Sequence, residues 1–186
     1  MSKINKEDIM KKILIVVLIV IVVAVGTILI IASTKPDTFR VKRSIDINAK
    51  PEKIAANIID LRKWTSWSPY EKYDPAMKRT YTGNPKGAGA IYAWEGNSKV
   101  GSGRMEITDV SPSLISIKLD FIKPIEGHDT ADFILTPEGG ATRVTWDMHG
   151  PNRFIGKIMH VFFNMDTMVG RDFEAGLQNL KALSEK

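Results

Sequence analysis

FFNMDTMVGRDFEAGLQNLKALSEK, residues 162–186, is the stretch on which the fold turns. Its apolar residues Phe162, Met165, Val169, Phe173, Leu177, Leu180 and Leu183 recur at steps of three and four, which places them in one stripe along a helix. Phe154, Ile155, Ile158 and Met159 extend the pattern backwards, so the spacing predicts helix over residues 152–186, with room for a break over 156–164. A stripe that long needs an apolar surface to lie on.

The preceding chain supplies one. Residues 77–82, 88–95, 99–110, 114–122, 128–136 and 141–150 read as strands, separated by short Gly-, Pro-, Asn- and Ser-containing turns. Alternation puts Tyr92 with Trp94, Met105 with Ile107, and Ile115, Ile117, Leu119 and Phe121 together on one face. Ala131, Phe133 and Leu135 share that face, as do Val144, Trp146 and Met148. Lys118, Asp120, Asp132, Arg143, Thr145, Asp147 and His149 fall on the other. This is an antiparallel meander with one wet face and one aromatic, methionine-rich face to be covered. Upstream, residues 39–48 alternate as a further strand, and Pro51-Glu52 opens a helix running to about Arg62. Trp64 and Trp67, three apart before Pro69, either plug one end of the core or line the mouth of a cavity.

Residues 13–32, ILIVVLIVIVVAVGTILIIA, hold 16 Ile, Leu or Val among 20 residues and no charge. As a helix they rise about 30 Å, the thickness of a bilayer's hydrocarbon core, so they are expected to span a membrane. The run is longer than the apolar region of a signal peptide, and no clear cleavage site follows. The expected organisation is a short basic tail over residues 1–12, a transmembrane helix over 13–32, a linker over 33–38 and one domain over 39–186. Lys11 and Lys12 abut the helix, which favours a single-pass protein with its tail inside and its domain on the outer, periplasmic side of a bacterial inner membrane.

Composition narrows the function. The net charge of +5 is largely juxtamembrane, and the domain carries no basic surplus that would recommend nucleic acid as a partner. The absence of cysteine excludes disulfides, thiolate catalysis and Cys-based zinc sites. The three histidines, His128, His149 and His160, have no metal-binding spacing, so neither a metal nor a cofactor is expected.

The order of elements, together with RSIDINAKPEKI (43–54), WTSWSPYEKYDP (64–75), GAGAIYAWEGN (87–97) and TRVTWDMHG (142–150), resembles the polyketide cyclase/dehydrase-type branch of the SRPBCC or START-like superfamily. The resemblance covers residues 39–186 and implies an α+β, Bet v 1-like helix-grip fold. Such a fold has a curved antiparallel sheet of about six to seven strands, two short helices and a long C-terminal helix, here preceded by one transmembrane helix. It also implies an apolar cavity between sheet and terminal helix. The lining expected here is Trp94, Met105, Phe121, Phe133, Trp146 and Met148 from the sheet and Phe162, Met165, Val169 and Phe173 from the helix. Trp64 and Trp67 stand at the mouth, and His128 is a polar contact.

No catalytic set emerges. Glu95, Arg104, His128 and Asp132 are the residues a cyclase would draw on, but Glu95 and Asp132 fall opposite the apolar face by alternation. The expected function is therefore binding of a hydrophobic small molecule or lipid beside the membrane, with catalysis left open. The alternatives are a cyclase- or dehydratase-type enzyme and a membrane-tethered protein-interaction module whose protein partner is unknown.

Overall fold

The computed structural model describes residues 6–186; the first five residues of the basic tail expected over residues 1–12, Lys3 included, lie outside the described residues. The described chain forms two compact units, the residues up to Asp37 with Asn152–Asn164, and Thr38–Pro151 with Met165–Lys186.

The larger unit is built on seven strands: β1 (Thr38–Ile47), β2 (Lys78–Gly83), β3 (Ala90–Glu95), β4 (Ser102–Val110), β5 (Leu114–Lys123), β6 (Gly127–Glu138) and β7 (Ala141–Pro151). They form one sheet in the order β1-β7-β6-β5-β4-β3-β2, antiparallel throughout. β2 to β7 are a meander, and β1 returns to pair with β7. The register of β4 against β5 shifts at Ser102/Gly103 and at Ile107/Asp109. Such irregularities bend a strand and raise its local twist, which helps the sheet curve.

Between β1 and β2 the chain makes α2 (Pro51–Ile58), a 3-10 turn (Leu61–Ser66) and the single turn α3 (Tyr70–Tyr73). Pro51 stands in the first turn of α2, where its missing N–H costs nothing, and Glu52 beside it suits the helix dipole. The helix ends at Ile58, short of Arg62, because Asp60 takes an extended conformation and accepts a hydrogen bond from Arg62 N, starting the 3-10 turn. The expectation of two short helices thus becomes three short helical pieces.

α5 (Met165–Ser184) lies on the apolar face of the sheet, burying Phe173, Leu177 and Leu180. Arg43 of β1 clamps it: Nε donates to Glu174 Oε1 at 2.8 Å, one terminal nitrogen to Asp166 Oδ1 at 3.0 Å, and the other to the Asp166 carbonyl at 2.9 Å. Gly170 makes that crossing possible, since a Cβ there would stand 1.9 Å from the guanidinium. At the far end Lys181 donates to the Asp46 carbonyl at 2.7 Å, and Asn48 N donates to Glu185 Oε1 at 2.7 Å.

The smaller unit pairs α1 (Lys6–Ser33) with α4 (Phe154–Phe162). Over Ile9–Ser33, α1 is long and apolar enough to cross a membrane. The terminal helix of the sequence reading is thus two helices. The chain turns extended at Phe163, so α4 ends there and α5 starts anew at Met165.

Candidate functional site

The site is the inner face of the sheet under α5. Strand register sets Tyr92 beside Met105, Phe133 beside Trp146, Ala131 beside Met148, and Leu119 beside Asp129. One part of this face is a block of rings. Trp146 stacks on Phe173 of α5, centroids 4.1 Å apart and planes within 4°. Phe133 lies 5.0 Å from Trp146, and Trp67 lies 5.7 Å from it, nearly edge-on. Trp64 tilts against Trp67 at 4.6 Å. α5 can approach this closely because of Gly176, where a Cβ would fall 2.8 Å from the Trp146 ring and 3.0 Å from Pro69 Cδ.

The four indole N–H groups are not treated alike. Trp64 Nε1 donates to the Ile58 carbonyl at 2.9 Å, Trp67 Nε1 to the Asn57 carbonyl at 3.1 Å, and Trp94 Nε1 to the Val100 carbonyl at 3.1 Å. Trp146 Nε1 is buried with no hydrogen-bond partner among the described residues. A buried donor left unmade costs about 1–3 kcal/mol, so a native core tolerates few of them.

Two polar groups share the inner face. Glu71 of α3 is buried: its Oε2 accepts from Arg79 Nε at 2.8 Å and its Oε1 from the Tyr92 hydroxyl at 2.9 Å. Burial, and then the charge of Glu71, push the Tyr92 hydroxyl well above its ordinary value. Asp129, two residues before Ala131 on β6, has its carboxylate against Gly150, where a Cβ would fall 2.1 Å from Oδ1, and burial raises its carboxyl to about 6.

Of the residues expected to line a cavity, Trp94, Met105, Phe133, Trp146, Met148 and Phe173 are buried in one core cluster, with Phe121 and Val169 packed against it. Met165 is half-buried at the start of α5. Three placements differ from expectation. Phe162 belongs to α4 in the smaller unit and is mostly exposed, because the helix breaks just after it. Trp64 and Trp67 are interior rather than at a mouth, their N–H groups held by the end of α2. His128 stands on the outer face: its Nδ1 lies 2.7 Å from Asp120 Oδ1 and its Nε2 3.2 Å from Glu126 Oε1.

The outer face also takes the other cyclase-type candidates. Glu95 pairs with Lys78, Arg104 donates to Glu106 Oε2 at 2.6 Å, and Asp132 Oδ1 accepts from Ser116 at 2.6 Å. Asp147, on the same face, is buried under Arg40, whose Nε donates to its Oδ1 at 2.8 Å; that contact holds the Asp147 carboxyl below the ordinary range. Glu71, Arg79 and Asp129 were not singled out from sequence. For Asp129 the signal existed, since period two carried back from Ala131 points it inward.

A family model described as polyketide cyclase/dehydrase and lipid transport matches residues 38–185. The chain belongs to that family. The chain is also similar in fold to solved structures of low sequence identity. The aromatase/cyclase ZhuI from Streptomyces sp. R1128 is 13% identical with a TM-score of 0.59, covering 80% of this chain and 94% of that one. A Chromobacterium violaceum protein solved by structural genomics is 14% identical with a TM-score of 0.56, covering 82% and 99%. Ara h 8.0201 is 10% identical with a TM-score of 0.50, covering 80% and 95%. No curated protein matches the chain. The fold is the Bet v 1-like helix grip, with seven strands and a long C-terminal helix.

Proposed function

We propose that this cyclase/dehydrase and lipid-transport domain is a membrane-anchored binder of a hydrophobic small molecule or lipid, held between the sheet and α5. The observation that carries this reading is Trp146 Nε1, a donor without an acceptor in the middle of an aromatic and methionine-rich face. A mainly apolar site with a few fixed polar groups is the usual form of a small-molecule pocket, and methionines adapt such a surface to varied shapes. A ligand carbonyl or hydroxyl oxygen would accept from Trp146 while its apolar body replaces core contacts. The apolar helix α1 anchors the chain at the source of such ligands, with the domain on the outer side, as Lys11 and Lys12 at its N-terminal end favour.

The test is native mass spectrometry of the full chain released from detergent, with organic extraction of whatever it carries. The reading expects a bound apolar species that is retained roughly tenfold less well by Trp146→Phe, the change about 1.4 kcal/mol would produce. A chain that never carries a species above its own mass overturns it.

Asp129 favours a second reading, catalysis of a cyclase or dehydratase type. A carboxyl raised to about 6 and placed on the inner face is poised to move a proton near neutral pH. If that is its role, Asp129→Asn abolishes turnover of a polyketide-like substrate while leaving binding intact.

A further inference from the structure

α1 and α4 form one unit, and Gly26, Ile28 and Ala32, covered residues of the apolar helix, lie toward its C-terminal end. α4 packs on α1, and the residues after α1 are stitched to the segment that opens α4. Asn152 N donates to the Asp37 carbonyl at 2.7 Å, Asn152 Nδ2 donates to the Pro36 carbonyl at 3.1 Å, and Lys157 pairs with Asp37. On α1, Ala32 is fully buried while Leu29, Ile30 and Ile31 remain exposed.

With one side of α4 turned to the linker through Lys157, the other side is apolar and uncovered. Phe154 is 51% exposed, Ile155 57% and Phe162 60%, at the i, i+1 and i+8 positions of one helical stripe, and Phe163 just beyond is 54% exposed. Four large apolar side chains in 10 residues are more than scattered surface hydrophobes, and they sit where α1 ends. α1 over Ile9–Ser33 rises about 38 Å, more than the hydrocarbon core needs, so its end at Ser33 falls among the lipid headgroups. The polar side of α4 is held by the linker, where Lys157 is largely covered by its ion pair with Asp37, so the apolar side is the one left to the surroundings.

We infer that α4 lies in the plane of the membrane, with Phe154, Ile155, Phe162 and Phe163 buried in the lipid monolayer beside the end of α1. The occupant of its apolar face is lipid, continuous with the lipid around α1. An interfacial helix of this kind buries its apolar side about 5–10 Å into the boundary between headgroups and acyl chains. The inference rests on α1 crossing the membrane. It adds that the chain meets the bilayer at two places, one spanning and one lying flat.

The absence of cysteine allows a direct test. Single cysteines at Ile155→Cys and Phe162→Cys in the full chain carry a nitroxide label, with Val20→Cys and Lys118→Cys as references. The proteins are placed in vesicles of phosphatidylethanolamine with a minority of phosphatidylglycerol. Collision with oxygen and with a water-soluble nickel complex gives the depth of each label. The expected result is several-fold greater oxygen-to-nickel preference at 155 and 162 than at 118, with depths shallower than at 20. Water-like values at 155 and 162 with a deep label at 20 overturn the inference and leave the anchor standing. A water-like label at 20 overturns the anchor itself. Spin–spin broadening confined to 155 and 162 assigns the face to a second copy of the chain and overturns the lipid reading.

Discussion

Trp146 and Phe173 lie flat on one another, 4.1 Å between centroids, and join the sheet to the gripping helix ring on ring. The two members of the stack carry different burdens. Phe173→Ala removes a fully buried ring and leaves a cavity, and is expected to cost about 3–5 kcal/mol in denaturant unfolding of the detergent-solubilised chain. Trp146→Phe also deletes a donor that has no partner, so it is expected to stay within about 1 kcal/mol of the parent. A loss at Trp146→Phe equal to that at Phe173→Ala would mean that its N–H is satisfied in solution.

Arg43 and Gly170 are expected to behave as one feature. Gly170→Ala places a Cβ where the guanidinium passes, so it should destabilise by roughly the same 1–3 kcal/mol as Arg43→Ala. The double variant should be no worse than either single change, because the second substitution has nothing left to break. Unfolding free energies of the four proteins close the cycle, and strict additivity would show that Arg43 does not hold α5 through this crossing.

The Glu71–Arg79 pair predicts a sign pattern. Removing one partner alone, as in Glu71→Met or Arg79→Met, strands a poorly solvated charge and should cost about 3–5 kcal/mol. The double substitution to Met should recover much of that loss. Thermal unfolding of the three variants is the measurement, and a double variant worse than both singles would refute the account.

Asp129 sets a pH dependence of defined direction. Its folded pKa is raised from 3.8 to about 6, so its contribution is present in full below about 4 and is lost as pH rises through about 6. After discounting for its partial exposure, the difference is on the order of 1–2 kcal/mol. His160 works in the opposite sense, since burial, and then Lys35, hold its folded pKa below 6.5, so its contribution is lost as pH falls below that value. The comparison that isolates Asp129 is therefore parent against Asp129→Asn, unfolded from pH 4 to 8. The parent should lose stability relative to the variant as pH rises through about 6, and parallel curves would sink the assignment.

The sheet was legible because six of its strands alternate cleanly and the turns between them carry Gly, Pro, Asn or Ser. The faces followed from the same alternation: Met105, Phe133 and Trp146 face in, while Asp120 and Asp132 face out. The break between α4 and α5 was harder to read, since Phe162 and Met165 are three apart and mimic an unbroken stripe although Phe163 is extended. His128 was expected inside although the period two that points Asp129 inward from Ala131 points His128 outward, and its cross-strand partner Asp120 confirms that side. Glu71, Arg79 and Tyr92 come from three separate elements, and no spacing within the chain announces that they meet.

The order β1-β7-β6-β5-β4-β3-β2 leaves β1 and β2 as the two unpaired margins of an open sheet. β1 carries Arg40, Lys42 and Arg43, and β2 opens with Lys78 and Arg79. Arg40, Arg43 and Arg79 are held in ion pairs within the molecule, which leaves Lys42 on β1 and Lys78 on β2 as the exposed lysines of the two margins. An edge that keeps a lysine in water is a poor template for a second sheet, and the protein is guarded against growing into a fibril through its own margins.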